Sequence, residues 1–126
     1  MLRFLSDAWV QALDARAQGI RLSDALDQVD LRVEHVVDDV VYHVAVRDRA
    51  VRFVLGPATA PTVRLVTTRA HAAAIAQGRT SAQRVFMNGG LAVEGDPHAL
   101  VRALPAMREI DDVFADVRAM TDWADA

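Results

Sequence analysis

The sequence predicts an α+β fold, a five-stranded, mostly antiparallel sheet covered by helices. Three observations carry that expectation. Residues 29–55 contain three runs in which apolar and polar residues alternate, separated by two-residue polar turns. Two further short strand patterns, residues 62–67 and 91–94, are interleaved with segments of helical character. Amphipathic helical stripes stand at both ends of the chain. Such elements must bury their apolar sides on one another, and helices layered on a sheet follow.

Taken in order, Ser6 caps a first helix over about residues 6–18, with Asp7 in the first turn offsetting the helix dipole. Trp9, Leu13 and Ala17 recur every four residues, with Leu5 one turn earlier, and Gly19 is a natural stop. Residues 20–28 are a short connection with a helical turn starting at Ser23. Val29, Leu31, Val33, His35 and Val37 share one strand face, and Asp30, Arg32, Glu34 and Asp38 share the other. That is the period of a half-buried antiparallel strand. After the Asp38-Asp39 turn, Val40, Tyr42, Val44 and Val46 line one face of a second strand. After Asp48-Arg49, Val51, Phe53 and Leu55 line one face of a third. Arg49 departs from the glycine that suits such a turn, since a side chain tolerates positive φ poorly.

Gly56 to Pro61 is a loop, and Val63 and Leu65 begin the fourth strand. Thr67 or Thr68 caps a helix over about 69–77, ended by Gly78. Ser81 caps the next, which stops at Gly89-Gly90. Leu91 and Val93 supply the fifth strand. Asp96 followed by Pro97 is a strong helix start. That helix runs to about Met107, or ends at Leu104 because Pro105 lacks the N–H a helix interior needs. Ile110, Val113, Phe114, Val117 and Met120 recur at three and four, predicting a last amphipathic helix over about 109–123 with Trp123 near its end. No repeat or long linker divides the 126 residues, which read as one domain with a core over about 25–108.

Composition narrows the function classes. The hydrophobic fraction, 52%, stands at the upper edge of the globular range and suits either a full core or a partly hollow one. Net charge is −3 with acids and arginines interspersed, so no basic stripe favours nucleic acid. Charge does not favour an anionic membrane either. The absence of cysteine excludes disulfides, thiol catalysis and thiolate metal sites. No run resembles a signal peptide or an integral membrane segment, so a cytoplasmic protein is expected.

Catalytic constellations are equally sparse. His35, His43, His71 and His98 show no spacing that ensures convergence on a metal. His35, Asp38, Asp39 and His43 come nearest, but a turn with solvated acids explains them more simply. Ser6, Ser23 and Ser81 read as caps, and none sits in a nucleophile elbow. No enzyme activity, metal or cofactor is expected.

The order of Val63-Arg-Leu-Val-Thr-Thr, Ala73-Ala-Ile-Ala-Gln-Gly, Ser81-Ala-Gln-Arg-Val-Phe-Met-Asn-Gly and Leu91-Ala-Val-Glu-Gly-Asp resembles the C-terminal half of the sterol carrier protein type 2 domain. The Phe86-Met87-x-Gly89 element, followed by a strand and Gly95-Asp96, is its most specific part. With the upstream hairpins the resemblance covers most of residues 25–110. It implies a small domain with an internal hydrophobic tunnel that binds sterols, fatty acids or their coenzyme A esters without a metal.

Candidate lipid-binding residues are assigned as a set: Phe53, Leu65, Ile75, Phe86, Met87, Leu91, Val93, Leu100 and Leu104. Phe86 and Met87 weigh most because they sit in the motif, and methionine adapts to varied apolar shapes. The same spacing is also that of an ordinary core. Ala70, Ala72, Ala73, Ala74 and Ala76 surround a single Ile75, which permits either close helix–sheet approach or space for a ligand. Arg69, Arg79 or Arg84 is available to a carboxylate or phosphate at the mouth. The last helix reads as a wall of the core, as a lid, or as a face that pairs two chains in a homodimer. The expected function is non-catalytic binding or transfer of an apolar lipid (fatty acid, acyl-CoA or sterol-like). The alternative is an accessory or interaction module with a filled core that serves a partner enzyme.

Overall fold

The computed structural model describes residues 1–124; side chains at 100, 103, 104, 107 and 111–114 lie outside that description. A two-residue strand, β1 (Leu2–Arg3), precedes α1 (Asp7–Ala17). The Ser6 hydroxyl caps α1 by accepting from the Trp9 N–H at 3.1 Å. Trp9, Val10, Leu13 and Ala17 form the buried stripe of α1. A single 3-10 turn (Asp24–Leu26) fills the connection. Then β2 (Leu31–Val37), β3 (Val40–Arg47) and β4 (Ala50–Leu55) form an antiparallel meander. β2 starts two residues later than the alternation predicts, because the Val29 N–H donates to the Leu26 carbonyl at 3.1 Å and prolongs the turn.

The second half runs β5 (Val63–Thr67), α2 (Arg69–Ala76), α3 (Ala82–Met87), β6 (Leu91–Gly95), α4 (Pro97–Ala119) and β7 (Thr121–Asp122). Thr68, Ser81 and Asp96 cap α2, α3 and α4 through their side chains. The five-stranded sheet has the order β4-β3-β2-β5-β6. Its central pairing, β2 with β5, is parallel, and the other three are antiparallel. β1 and β7 pair in parallel as a separate ribbon joining the two ends of the chain.

At the β3–β4 turn, Asp48 and Arg49 both take positive φ, 52° and 66°. That is the backbone a two-residue hairpin with right-handed strand twist needs. Arg49 offsets its conformational cost of about 1 kcal/mol with bonds of its own. Its Nε donates to the Leu22 carbonyl at 2.8 Å, and its Nη1 pairs with Asp24 at 2.8 Å. The Leu22 N–H returns a bond to the Arg49 carbonyl at 2.9 Å.

α4 differs from expectation. One helix of 23 residues replaces the two predicted around Pro105. Proline removes only the bond to the Val101 carbonyl, and both residues are exposed, where water takes the missing partner's place. Ala99, Ala106, Ile110 and Val117 are its buried stripe. Val113, Phe114, Asp111 and Asp112 of the expected last helix lie outside the described side chains. Met120 is exposed, and Trp123 lies beyond the helix, packed on Phe4 with ring centroids 4.9 Å apart. Ser23 ties the middle of α4 down, donating from its N–H and hydroxyl to Glu109 at 2.9 and 2.7 Å.

α1 packs along β4 and α4. Asp14 staples it there, accepting from Arg52 Nε and Nη2 at 2.8 and 2.9 Å and from the Phe53 N–H at 3.0 Å. Under α1, Val46, Val51, Phe53 and Leu13 are all buried. The other end of the same sheet face, beneath α2, is not filled in the same way.

Candidate functional site: a cavity between sheet and helices

A cavity of about 370 Å3, open to solvent over part of its boundary, lies between the sheet and the helices. The sheet contributes His35, Val37, Tyr42, Leu65, Thr67 and Leu91 from four adjacent strands. Their register follows from the turns. Val37 pairs with Val40 across the Asp38-Asp39 turn, which sets His35 opposite Tyr42, and the parallel pairing sets Leu65 beside His35. Opposite them stand Ala72, Ile75 and Ala76 of α2, Ala82 of α3 and Arg118 of α4. Phe4, Leu5 and Trp9 close one side.

Local sequence explains the space. Ala73 is fully buried and lets α2 approach the sheet, whereas the methyl side chains of Ala72 and Ala76 stop short of the opposite wall. Leu5 is held in the left-handed region, φ 64°, with the Ser6 N–H and hydroxyl both donating to the Arg3 carbonyl at 3.1 and 2.6 Å. That turn directs Leu5 inward, where it is buried at the cavity wall. An aromatic chain continues the wall. Phe4 meets Trp9 edge-on at 5.1 Å, Trp9 meets Tyr42 edge-on at 6.0 Å, and Tyr42 stacks flat on His35 at 4.8 Å and 5°. The Trp9 indole N–H donates to Thr121 Oγ1 at 3.2 Å, which fixes the ring.

Three of the residues assigned from sequence meet at this cavity: Leu65, Ile75 and Leu91. Phe53 is buried beneath α1, and Val93, opposite Leu65 in the β5–β6 pairing, is half-buried and apart from the cavity wall. Phe86 and Met87 are 52% and 75% exposed, because the short helix α3 turns Val85 inward instead. Leu100 and Leu104 lie outside the described side chains. Sequence reasoning missed Phe4, Leu5, Trp9, His35 and Tyr42 as wall residues. The alternation of β2 and β3 already put the last two on the inner face.

The electrostatics of the two sheet faces differ. Inside, burial lowers the His35 imidazole to about 4 and pushes the Tyr42 phenol up, so both are uncharged at neutral pH. Outside, the buried Glu34 carboxylate accepts from the Ala58 N–H at 2.8 Å and from Arg64 Nε at 2.5 Å. Burial alone raises Glu34, but those two hydrogen bonds and the charges of Arg64 and His43 outweigh it and hold the carboxyl below its ordinary value. Among the described residues no three His, Cys, Asp or Glu side chains gather as metal ligands. No helix of the described residues is long and apolar enough to cross a membrane.

The family model described as the SCP-2 sterol transfer family matches residues 8–104. Comparison with curated proteins returns no match. Among solved structures, a Thermus thermophilus protein described as possibly a sterol carrier protein is 19% identical. It aligns with a TM-score of 0.65 over 93% of this chain and 91% of its own. A sterol carrier protein 2 crystal structure is 15% identical, with a TM-score of 0.63 over 91% of this chain and 97% of that one. The sec-alkylsulfatase Pisa1 from Pseudomonas sp. is 19% identical, with a TM-score of 0.55 over 71% of this chain and only 15% of the sulfatase. These likenesses establish the fold.

Proposed function

This chain belongs to the SCP-2 sterol transfer family, and from that premise we propose that it binds one apolar lipid chain in the cavity between sheet and helices, without catalysing a reaction on it. The observation that carries the reading is the 370 Å3 space walled mainly by apolar side chains. A sealed, dry void costs roughly 24 cal/mol per Å3; this hollow is partly open, so water offsets part of that cost and an apolar ligand would displace that water. A ligand that fills the hollow removes the remainder.

Size sets the ligand class. A methylene is close in volume to a water, whose share of the liquid is roughly 30 Å3, so the cavity holds on the order of a dozen non-hydrogen atoms. That suits a medium-length alkyl chain. Each buried methylene contributes about 0.8 kcal/mol, so ten supply about 8 kcal/mol, the scale of micromolar affinity. Leu65, Ile75 and Leu91, with the Trp9 ring, are the side chains assigned to contact the tail.

The second reading, a module serving a partner enzyme, draws on one observation: the region matched in Pisa1 is a minor part of a much longer chain. Titration with a fluorescent decyl-chain probe, followed by displacement with unlabelled lipid, separates the two. Saturable binding at one site, with a change in Trp9 emission, is the expected result. A protein that neither binds nor is stabilised by any alkyl-chain lipid favours the module.

A further inference from the structure

We infer that the polar end of the bound lipid is an uncharged hydroxyl, held by His35 and Tyr42, so that the preferred ligand is a medium-chain alcohol-like lipid and not a carboxylate. This deepens the lipid-binding reading and rests on it.

The two rings are cross-strand neighbours on the inner face, stacked at 4.8 Å and 5°, and Trp9 packs its edge against Tyr42 at 6.0 Å. Both line the cavity, and Tyr42 is only 6% exposed. Among the described residues neither ring makes a hydrogen bond through its polar atoms. No described side-chain polar atom is both sealed off and without a partner. The His35 nitrogens and the Tyr42 hydroxyl therefore reach open space, and the open space these rings wall is the cavity. Trp9, Thr67 and Arg118 carry the other polar side-chain groups on that wall. Thr67 Oγ1 donates to the Gly90 carbonyl at 2.7 Å, and Arg118 has an interaction of its own.

A neutral imidazole offers one N–H donor and one acceptor nitrogen, and a phenol offers a donor and an acceptor. A ligand hydroxyl, which both donates and accepts, matches the pair. A carboxylate placed there would lose its hydration and meet no counter-charge from either ring. Burial keeps both rings uncharged across the neutral range, His35 with a pKa of about 4. A site built to hydrogen-bond a hydroxyl discriminates strongly against the analogue that lacks it, because its own buried polar groups are then left unpaired.

The test uses the whole chain and three probes with the same tail: 1-decanol, decanoate and 1-chlorodecane, titrated at pH 7.5 by tryptophan fluorescence. The expected result is at least a tenfold preference for decanol over both others. The His35→Leu/Tyr42→Phe variant should erase the preference for decanol over chlorodecane, with decanol affinity falling about tenfold. Equal binding of decanol and chlorodecane by the unaltered protein, or decanoate bound more tightly and weakened by Arg118→Gln, overturns the hydroxyl assignment. Both of those outcomes leave lipid binding standing. The first comparison needs no variant, so a variant that fails to fold leaves the test intact. If none of the three probes binds, the lipid reading itself falls, and this assignment falls with it.

Discussion

Glu34 and His35 are consecutive on β2 and face opposite sides of one sheet, yet they have opposite surroundings. Glu34 is buried on the outer face, and the Ala58 N–H and the Arg64 guanidinium donate to its carboxylate. Loop residues 56–62 are held over that face by further bonds, with the Thr59 carbonyl accepting from Arg32 Nη1 and Thr62 Oγ1 accepting from the Arg32 N–H. His35 faces inward onto apolar walls and stacks on Tyr42, with no hydrogen bond to any described residue. Buried polar groups in folded proteins are nearly always satisfied, as Glu34 is, whereas the polar atoms of His35 and Tyr42 are not sealed off and open onto the cavity. The outer network is complete in itself and serves the fold. The inner pair has no hydrogen bond to a described residue and faces the cavity.

That difference can be broken at each side. The largest effect is expected from filling the inner space: Ala72→Leu with Ala76→Leu adds bulk where two methyl groups now face the hollow. Binding of a decyl-chain probe should fall at least a hundredfold, while the melting temperature holds or rises, as fluorescence titration and calorimetry would report. Unchanged binding would move the ligand elsewhere.

Acidification separates the faces next. His35 has a folded pKa of about 4 against 6.5 for the free group. The unfolded chain therefore binds more protons between those values, and stability falls as pH drops from 6.5 towards 4. The loss approaches about 3 kcal/mol and is smaller where water occupies the cavity. Glu34 is depressed instead, so its contribution is intact above 4.5 and is lost only as pH falls through its lower folded value. Denaturation midpoints measured from pH 8 to pH 3 should show both phases, and His35→Leu should erase the upper one alone.

Glu34→Ala should destabilise the protein by about 2 kcal/mol, since the loop N–H loses its acceptor and Arg64 its partner. Lipid affinity should stay within twofold. A large loss of binding would mean that the two faces are not independent. The smallest effect belongs to Arg49→Gly at the β3–β4 turn. Relief at positive φ and loss of the Leu22 and Asp24 contacts nearly cancel, leaving less than about 1 kcal/mol in chemical denaturation.

Much of this architecture was legible in the residues. The two-residue turns at Asp38-Asp39 and Asp48-Arg49, the alternation of β2 to β4, and the caps Ser6, Thr68, Ser81 and Asp96 each carry their own local physics. The pairing of Val37 with Val40 propagates along the hairpin to His35 and Tyr42, so that contact was open to inference from spacing alone. Pro105 misled because whether proline ends a helix depends on whether the freed carbonyl meets water, which is a tertiary fact. Phe86 and Met87 misled for a related reason. A six-residue helix has one inward position to spare, and Val85 takes it. The β1–β7 ribbon is too short to leave any periodic signal, yet it brings Phe4 and Leu5 to the cavity. An alanine-rich helix permits either close packing or a void, and here neighbouring alanines do both.

The most direct test locates the ligand by nuclear magnetic resonance, using intermolecular contacts between an isotope-labelled decyl chain and the protein's methyl groups. Lipid held between sheet and helices predicts contacts to Leu65, Ile75 and Leu91. Contacts confined to the outer-face valines, Val36, Val41 and Val66, or to Met87 on the surface, would contradict it.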